Sequence, residues 1–219
     1  CDVVMIRTFG HELVEAWAQS SPVPVINALT DLYHPCQLLA DLLTCREHLK
    51  AGLERPWESL SVAWVGDGNN MAHSIMYGCA LMGVNVAIGH PRGYAPDADV
   101  TTRTRELAAA SGASVLITED PQAAVEGADV VYTDVWASMG QEDETEERAA
   151  VFSDYAVNEE LMEYTDHAKF MHCLPAHRGH EVSRGVIDGP NSIVFDIAEN
   201  RLHAQKAVLA MLLGGEGQS

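Results

Sequence analysis

The chain has 219 residues, 47% of them hydrophobic, enough for one large domain or one and a half ordinary ones around a real core. Thirteen Lys and Arg against thirty-two Asp and Glu give a formal charge of −19, which argues against nucleic acid or an anionic membrane as a partner and points to a small ligand. Five scattered cysteines make no disulfide framework and suit a reducing, cytoplasmic compartment, while no apolar run approaches the roughly 18 residues of a membrane span and no signal peptide is visible.

The first predicted element, a strand over 2–7, starts at Cys1 without a polar lead-in, so residues ahead of Cys1 are expected to have been lost from a longer protein. A helix over 11–20 and a strand over 23–28 follow. HPCQ (His34 to Gln37) then opens a helix over 34–49, with Pro35 at a tolerated first-turn position and His34 and Gln37 three apart on one face. Leu38, Leu39, Leu42 and Leu43 keep helical spacing and suggest the buried face. The polar stretch from Thr44 to Ser59, with the breaker pair Arg55-Pro56, reads as a domain boundary.

A fresh α/β unit begins at SVAWVGDGNN, where a strand over 61–66 runs into Gly66-Asp67-Gly68 and a helix over 70–82. This resembles a dinucleotide-binding turn, but Met71 stands at the third glycine position and the next strand, over 85–89, ends at Gly89-His90 rather than a ribose-binding carboxylate. A helix over 100–112 contains TTRTRE, whose threonines and Asp99 read as helix caps. Strands over 114–118 and 129–133 flank a short helix near 121–127. The acidic run Glu142 to Glu147 starts a helix over 144–156, where carboxylates favour the dipole. Strands over 169–173 and 192–196 and a helix over 199–213, with Leu202, Ala207, Leu209 and Leu212 as its buried face, complete the chain.

Strands alternating with helices predict an α/β protein with doubly wound parallel sheets, whose ligand crevice lies outside the carboxyl ends of the strands. The residues just after the strands are Arg7, Asn27, Gly66 to Asn70, Asp134 and His172 to Leu174, a set that would share one cleft. Within FMHCLPAHRG (170–179), Cys173 is open to several readings. As strand neighbours His172 and Cys173 would point to opposite faces and chelate one metal poorly. A nucleophile would need His177 as its base, and a buried structural cysteine is the commonest fate of a lone Cys.

Taken together, IRTFGHE, DLYHPCQLLADLLT, VAWVGDGNNMAHS, DVVYTDVWASMG, FMHCLPAHRG and FDIAENRLHAQKA resemble the ornithine carbamoyltransferases, in order and over essentially the whole chain. The resemblance implies two α/β domains: residues 1–44 as the end of a carbamoyl phosphate-binding domain, 45–198 as a Rossmann-like ornithine-binding domain, and 199–219 as a helix packing back on the first. It implies transfer of a carbamoyl group from carbamoyl phosphate to the δ-amine of L-ornithine, giving L-citrulline and phosphate, with no cofactor and no catalytic metal. Arg7, His34, Gln37 and Arg201 match carbamoyl phosphate-binding positions, as do Cys173 and Leu174, the Leu backbone oxygen facing the carbamoyl amino group. Asn70, Asp134, Ser138 and Met139 match ornithine-binding positions, and Asp134 and Cys173 would orient the attacking amine.

The Cys in HCLP and the Ser-Met-Gly run favour ornithine over aspartate or putrescine. The family's Ser-Thr-Arg-Thr phosphate loop has no counterpart before Arg7, so the chain by itself is expected to be inactive or nearly so, and a noncatalytic binding remnant is the alternative. A trimer-based homo-oligomer is implied for the full-length protein.

Overall fold

The computed structural model describes residues 1–49, 56–137 and 144–214, the Thr145 side chain excepted. The boundary expected at Thr44 to Ser59 and the acidic run Glu142 to Glu147 fall partly outside them, and Ser138 and Met139 wholly so.

Two parallel sheets are seen among the described residues. The smaller pairs β1 (Val4–Arg7) with β2 (Val25–Leu29), linked by α1 (His11–Ser20). After α2 (Pro35–His48) come β3 (Ser61–Val65), α3 (Asn70–Met82), β4 (Asn85–Gly89), α4 (Ala98–Ser111), β5 (Val115–Thr118), α5 (Pro121–Val125) and β6 (Val130–Thr133). Then follow α6 (Thr145–Phe152), α7 (Glu159–Met162), β7 (Lys169–His172), α8 (Arg184–Ile187) and α9 (Val194–Leu213). The five-stranded sheet runs β5-β4-β3-β6-β7, all parallel. Its order reverses between β3 and β6, which opens a crevice at their carboxyl ends.

Side chains alternate across this sheet. Trp64, Tyr132 and Met171 enter a core shared with α3 and the start of α9, whereas Ala63, Val65, Val131 and Phe170 enter a second core with Val157, Leu161 and Val186 on the opposite face. Burial on both faces explains why the strands read as continuous apolar runs.

The structure corrects several sequence expectations. Residues 192–196 form no strand: Ser192 makes one bridge to Phe170, and α9 begins at Val194. The β-branched run there suggested a strand, but Val194, Ile197 and Ala204 are buried at helical spacing. Leu202 and Leu212, expected on the buried face of α9, are exposed. On α2 the Leu stripe lies beside the buried face rather than on it. That face is Cys36, Gln37, Ala40, Asp41, Thr44 and Cys45, half of it polar. α4 is capped by Asp97, which accepts from the backbone N–H groups of Asp99 and Val100, and not by Asp99. The predicted helix over 144–156 ends at Phe152 and continues as a 3₁₀ turn through Tyr155.

Candidate active site

Three elements bring cationic and amide groups together at the start of α2. Pro35 fixes the first turn, and the His34 side chain makes no capping bond, so its imidazole is not consumed by the helix end. Its backbone N–H instead donates to Ser74 Oγ at 2.8 Å, and that hydroxyl donates to the Asn70 carbonyl at 2.8 Å, joining α2 to the first turn of α3. The His34 ring is buried with Nδ1 unpartnered. Burial, with Arg201 and Arg7 both near enough to repel a second positive charge, pushes it down to about 4. At neutral pH it is therefore an uncharged imidazole that can donate to an oxygen without competing as an acid.

Arg201, on α9, donates from Nη1 to Gln37 Oε1 at 3.0 Å, and its Nε is buried without a partner. Gln37 Nε2 donates to Asp41 Oδ1 at 2.9 Å, and the Tyr132 hydroxyl donates to the same oxygen at 3.2 Å. Asp41 thus fixes which way the Gln37 amide faces, its donor end inward and its acceptor end toward Arg201. Burial pushes the Asp41 carboxyl up to about 7 despite these hydrogen bonds. Neither Asp41 nor Tyr132 stood out in the sequence, although a polar series at i, i+4 and i+7 (Gln37, Asp41, Thr44) was a readable signal of a buried polar face.

A second group lies at the ends of β6 and β7, paired through Thr133 and His172. Asp134 Oδ1 accepts from the Val135 N–H at 2.8 Å and from the Cys173 thiol at 3.0 Å. Burial and the adjacent Asp134 carboxylate push that thiol well above its ordinary value, which keeps it protonated and a poor nucleophile. β7 stops at His172, so Cys173 lies in the loop beyond it and the opposite-face expectation fails. The polar atoms of Asp134, His172 and Cys173 fall within 4.8 Å of one another. A cation there would compete with the Leu174 N–H, which donates to His172 Nδ1 at 2.8 Å.

Asn70 donates from Nδ2 to the Thr30 carbonyl at 2.6 Å, which ties α3 to the loop after β2. Arg7 ends β1 and is exposed. Asn27 falls within β2 rather than after it. The glycine-rich turn is closed to a dinucleotide pyrophosphate in two ways. Asn69 Oδ1 accepts from the Met71 and Ala72 N–H groups, occupying the helix-end donors. Residues 94–96 lie so close over Gly68 that a Cβ there would come within 2.2 Å of the Pro96 nitrogen.

Sequence reasoning also missed Arg148. Its Nη1 donates to Asp67 Oδ2 at 2.7 Å and to the Trp136 carbonyl at 3.0 Å, its Nε donates to Glu144 Oε2 at 2.8 Å, and its guanidinium lies 5.1 Å from the Tyr94 ring centre. An isolated arginine in an acidic helix start carries no sequence signal of such a hub.

A doubly wound parallel sheet, with a cationic amide corner and an Asp–Cys pair near the carboxyl ends of its strands, defines a Rossmann-like α/β protein. Two family models divide the chain: the aspartate/ornithine carbamoyltransferase carbamoyl-P binding domain matches residues 1–47, and the Asp/Orn binding domain matches residues 58–212. The chain is 56% identical over 217 residues to the ornithine carbamoyltransferase of Carboxydothermus hydrogenoformans, covering 97% of this chain and 67% of that protein. It is 54% identical over 220 residues to that of Bacillus subtilis, covering 98% and 66%. The ornithine carbamoyltransferase structure from Pyrococcus furiosus superposes with a TM-score of 0.92 at 50% identity, covering 99% of this chain and 68% of that one. The chain belongs to the aspartate/ornithine carbamoyltransferase family, and it spans about two thirds of the length of these relatives.

Proposed function

We propose that the protein transfers a carbamoyl group from carbamoyl phosphate to the δ-amine of L-ornithine, giving L-citrulline and phosphate. The observation that carries this reading is the closeness of two groups: Arg201, Gln37 and an uncharged His34 around Asp41, and Asp134 with its bound thiol just beyond Tyr132, whose hydroxyl donates to Asp41. In this reading Arg7, His34 and Arg201 receive the carbonyl oxygen and the negative charge that grows on it as the carbon becomes tetrahedral. Gln37 Oε1 and the Leu174 carbonyl accept from the carbamoyl amino group.

Asp134 attracts the cationic amine and Cys173 packs beside it, while Asn70, Ser138 and Met139 hold the amino-acid end. The cationic amine first releases one proton to solvent; the nitrogen–carbon bond then forms, the carbon–oxygen bond to phosphate breaks, and a second amine proton leaves on the departing phosphate. Placement of the two reactants supplies much of the rate. A neutral His34 suits this work, because an imidazolium would be repelled by the same guanidinium groups that bind the oxygen. A cytoplasmic, trimer-based homo-oligomer in arginine metabolism is the corresponding cellular reading.

Two measurements test the proposal. Saturation-transfer NMR on the 219-residue chain should detect L-ornithine and L-citrulline, and not L-aspartate or putrescine. The full-length gene product should form citrulline from carbamoyl phosphate and ornithine. Preference for aspartate or putrescine in both assays would overturn the substrate assignment.

A further inference from the structure

Leu174 has φ of +58°, in the left-handed region that side chains with a Cβ rarely adopt. Something must hold it there. Its N–H donates to His172 Nδ1 at 2.8 Å, and the His172 side chain is fully buried. A ring that accepts at Nδ1 carries its proton on Nε2. That nitrogen lies 3.4 Å from Glu181 Oε1, close enough for attraction between the N–H dipole and the carboxylate although no hydrogen bond is formed.

Glu181 is 1% exposed, and the same Oε1 accepts from the His177 N–H at 2.5 Å. One buried carboxylate therefore lies against both ends of the loop, hydrogen-bonded to the His177 backbone where it finishes and set beside the His172 ring where it begins. Burial alone would raise this carboxyl. The nearby His172 ring and the hydrogen bonds from the His177 N–H and from its own N–H outweigh burial and hold it below the usual carboxylate range.

We propose that Glu181 and His172 are positioning residues of the cleft. Glu181 selects the Nε2–H tautomer of His172, and Nδ1 then pins the Leu174 N–H and the left-handed turn next to Cys173. The consequence for catalysis rests on the reading above, in which the Leu174 carbonyl accepts from the carbamoyl amino group and Cys173 lies against Asp134. The tautomer itself does not depend on that reading. With the opposite tautomer, two N–H groups would face each other at 2.8 Å and the turn would lose its support.

Side-chain ¹⁵N–¹H correlation spectra of the 219-residue chain should show His172 protonated at Nε2 and accepting at Nδ1. Glu181→Gln, which keeps an oxygen at the Oε1 position, should preserve that pattern. Glu181→Leu should mix the tautomers and speed exchange of the Leu174 amide by about tenfold or more. In the full-length gene product, His172→Asn places an oxygen near Nδ1 and should keep kcat within about tenfold. His172→Gln reaches only toward Nε2 and should lose about 100-fold in kcat, with the ornithine KM nearly unchanged.

A wild-type His172 protonated at Nδ1, or equal losses in the Asn and Gln variants, would overturn the positioning pair. The Nε2–H tautomer in a full-length protein that makes no citrulline would support the pair and overturn the assigned reaction.

Discussion

Cys173 Sγ lies 3.0 Å from Asp134 Oδ1 with the thiol as donor, and the two residues follow the ends of neighbouring strands β7 and β6. A thiol held by a carboxylate resists ionisation, because the thiolate would face a like charge in a partly desolvated site. The cysteine is thereby a donor that orients Asp134, whose Oδ1 also accepts from the Val135 N–H. Native-state alkylation with iodoacetamide at pH 8, followed by peptide mapping, should label exposed Cys1 and leave Cys173 unmodified. Asp134→Asn removes the repelling charge and should speed Cys173 labelling by about tenfold for each unit by which the thiol falls.

His34 makes the fold sensitive to acid. Its imidazole titrates near 4 in the folded state against 6.5 ordinarily, so between these values the unfolded chain binds more protons. Stability falls as pH drops from about 6.5 toward 4, by up to about 3 kcal/mol from this residue. Urea denaturation across that range should show a shallower acid slope for His34→Gln than for the wild type.

Asp41 acts in the opposite sense. Its carboxyl is raised from 3.8 to about 7, so the folded state keeps a proton that the unfolded chain releases. The resulting stabilisation is complete below about 3.8 and is lost as pH rises through 7, to the extent of about 4 kcal/mol. Asp41→Asn retains an oxygen for Gln37 and Tyr132 and cannot ionise. It should be more stable than the wild type at pH 8, and the difference should shrink at pH 5.

Arg148 ties Asp67, Trp136 and Glu144 together while itself only 6% exposed. Removing it leaves the partly buried Asp67 carboxylate without its main partner, so Arg148→Ala should cost about 2–4 kcal/mol in chemical denaturation. Asp67→Asn introduced into the Arg148→Ala background should cost less than in the wild type, because the stranded charge is gone.

Gly68 is required by close approach. A methyl group there would meet the backbone of residues 95 and 96, with the Pro96 nitrogen 2.2 Å away. Gly68→Ala should destabilise by about 1–3 kcal/mol and shift the loop whose Tyr94 carbonyl accepts the Gly68 N–H at 2.9 Å.

Strands with strong β-branched runs and helices with clear caps were legible in the sequence, and parallel pairing followed from their alternation. The four-residue helices α7 and α8 were not, because one turn gives no periodicity to read and their signals are single caps, Asn158 and Ser183. Helix α9 was read partly as a strand because Ile193 and Val194 imitate β propensity. The buried face of α2 is hidden behind its leucine content, because the helix turns its polar residues inward to meet Tyr132, Asn200 and Arg201. The His172–Glu181 pair is separated by a left-handed residue and a loop, and no spacing rule predicts it.

Arg201 meets Gln37 across 164 residues of chain, and Asn200 meets Thr44 Oγ1 and Glu47 Oε2 across 156 and 153. Polar partners of this kind work as a key for register. Sliding α9 by one helical turn, about 5.4 Å, would leave a guanidinium, two amides and a carboxylate facing the wrong neighbours. The last helix therefore docks in one register or not at all, and it does so by joining nearly the two extremes of the sequence. A protease that cut ahead of Asn200 would remove the latch of the fold and the guanidinium of the cleft in a single event.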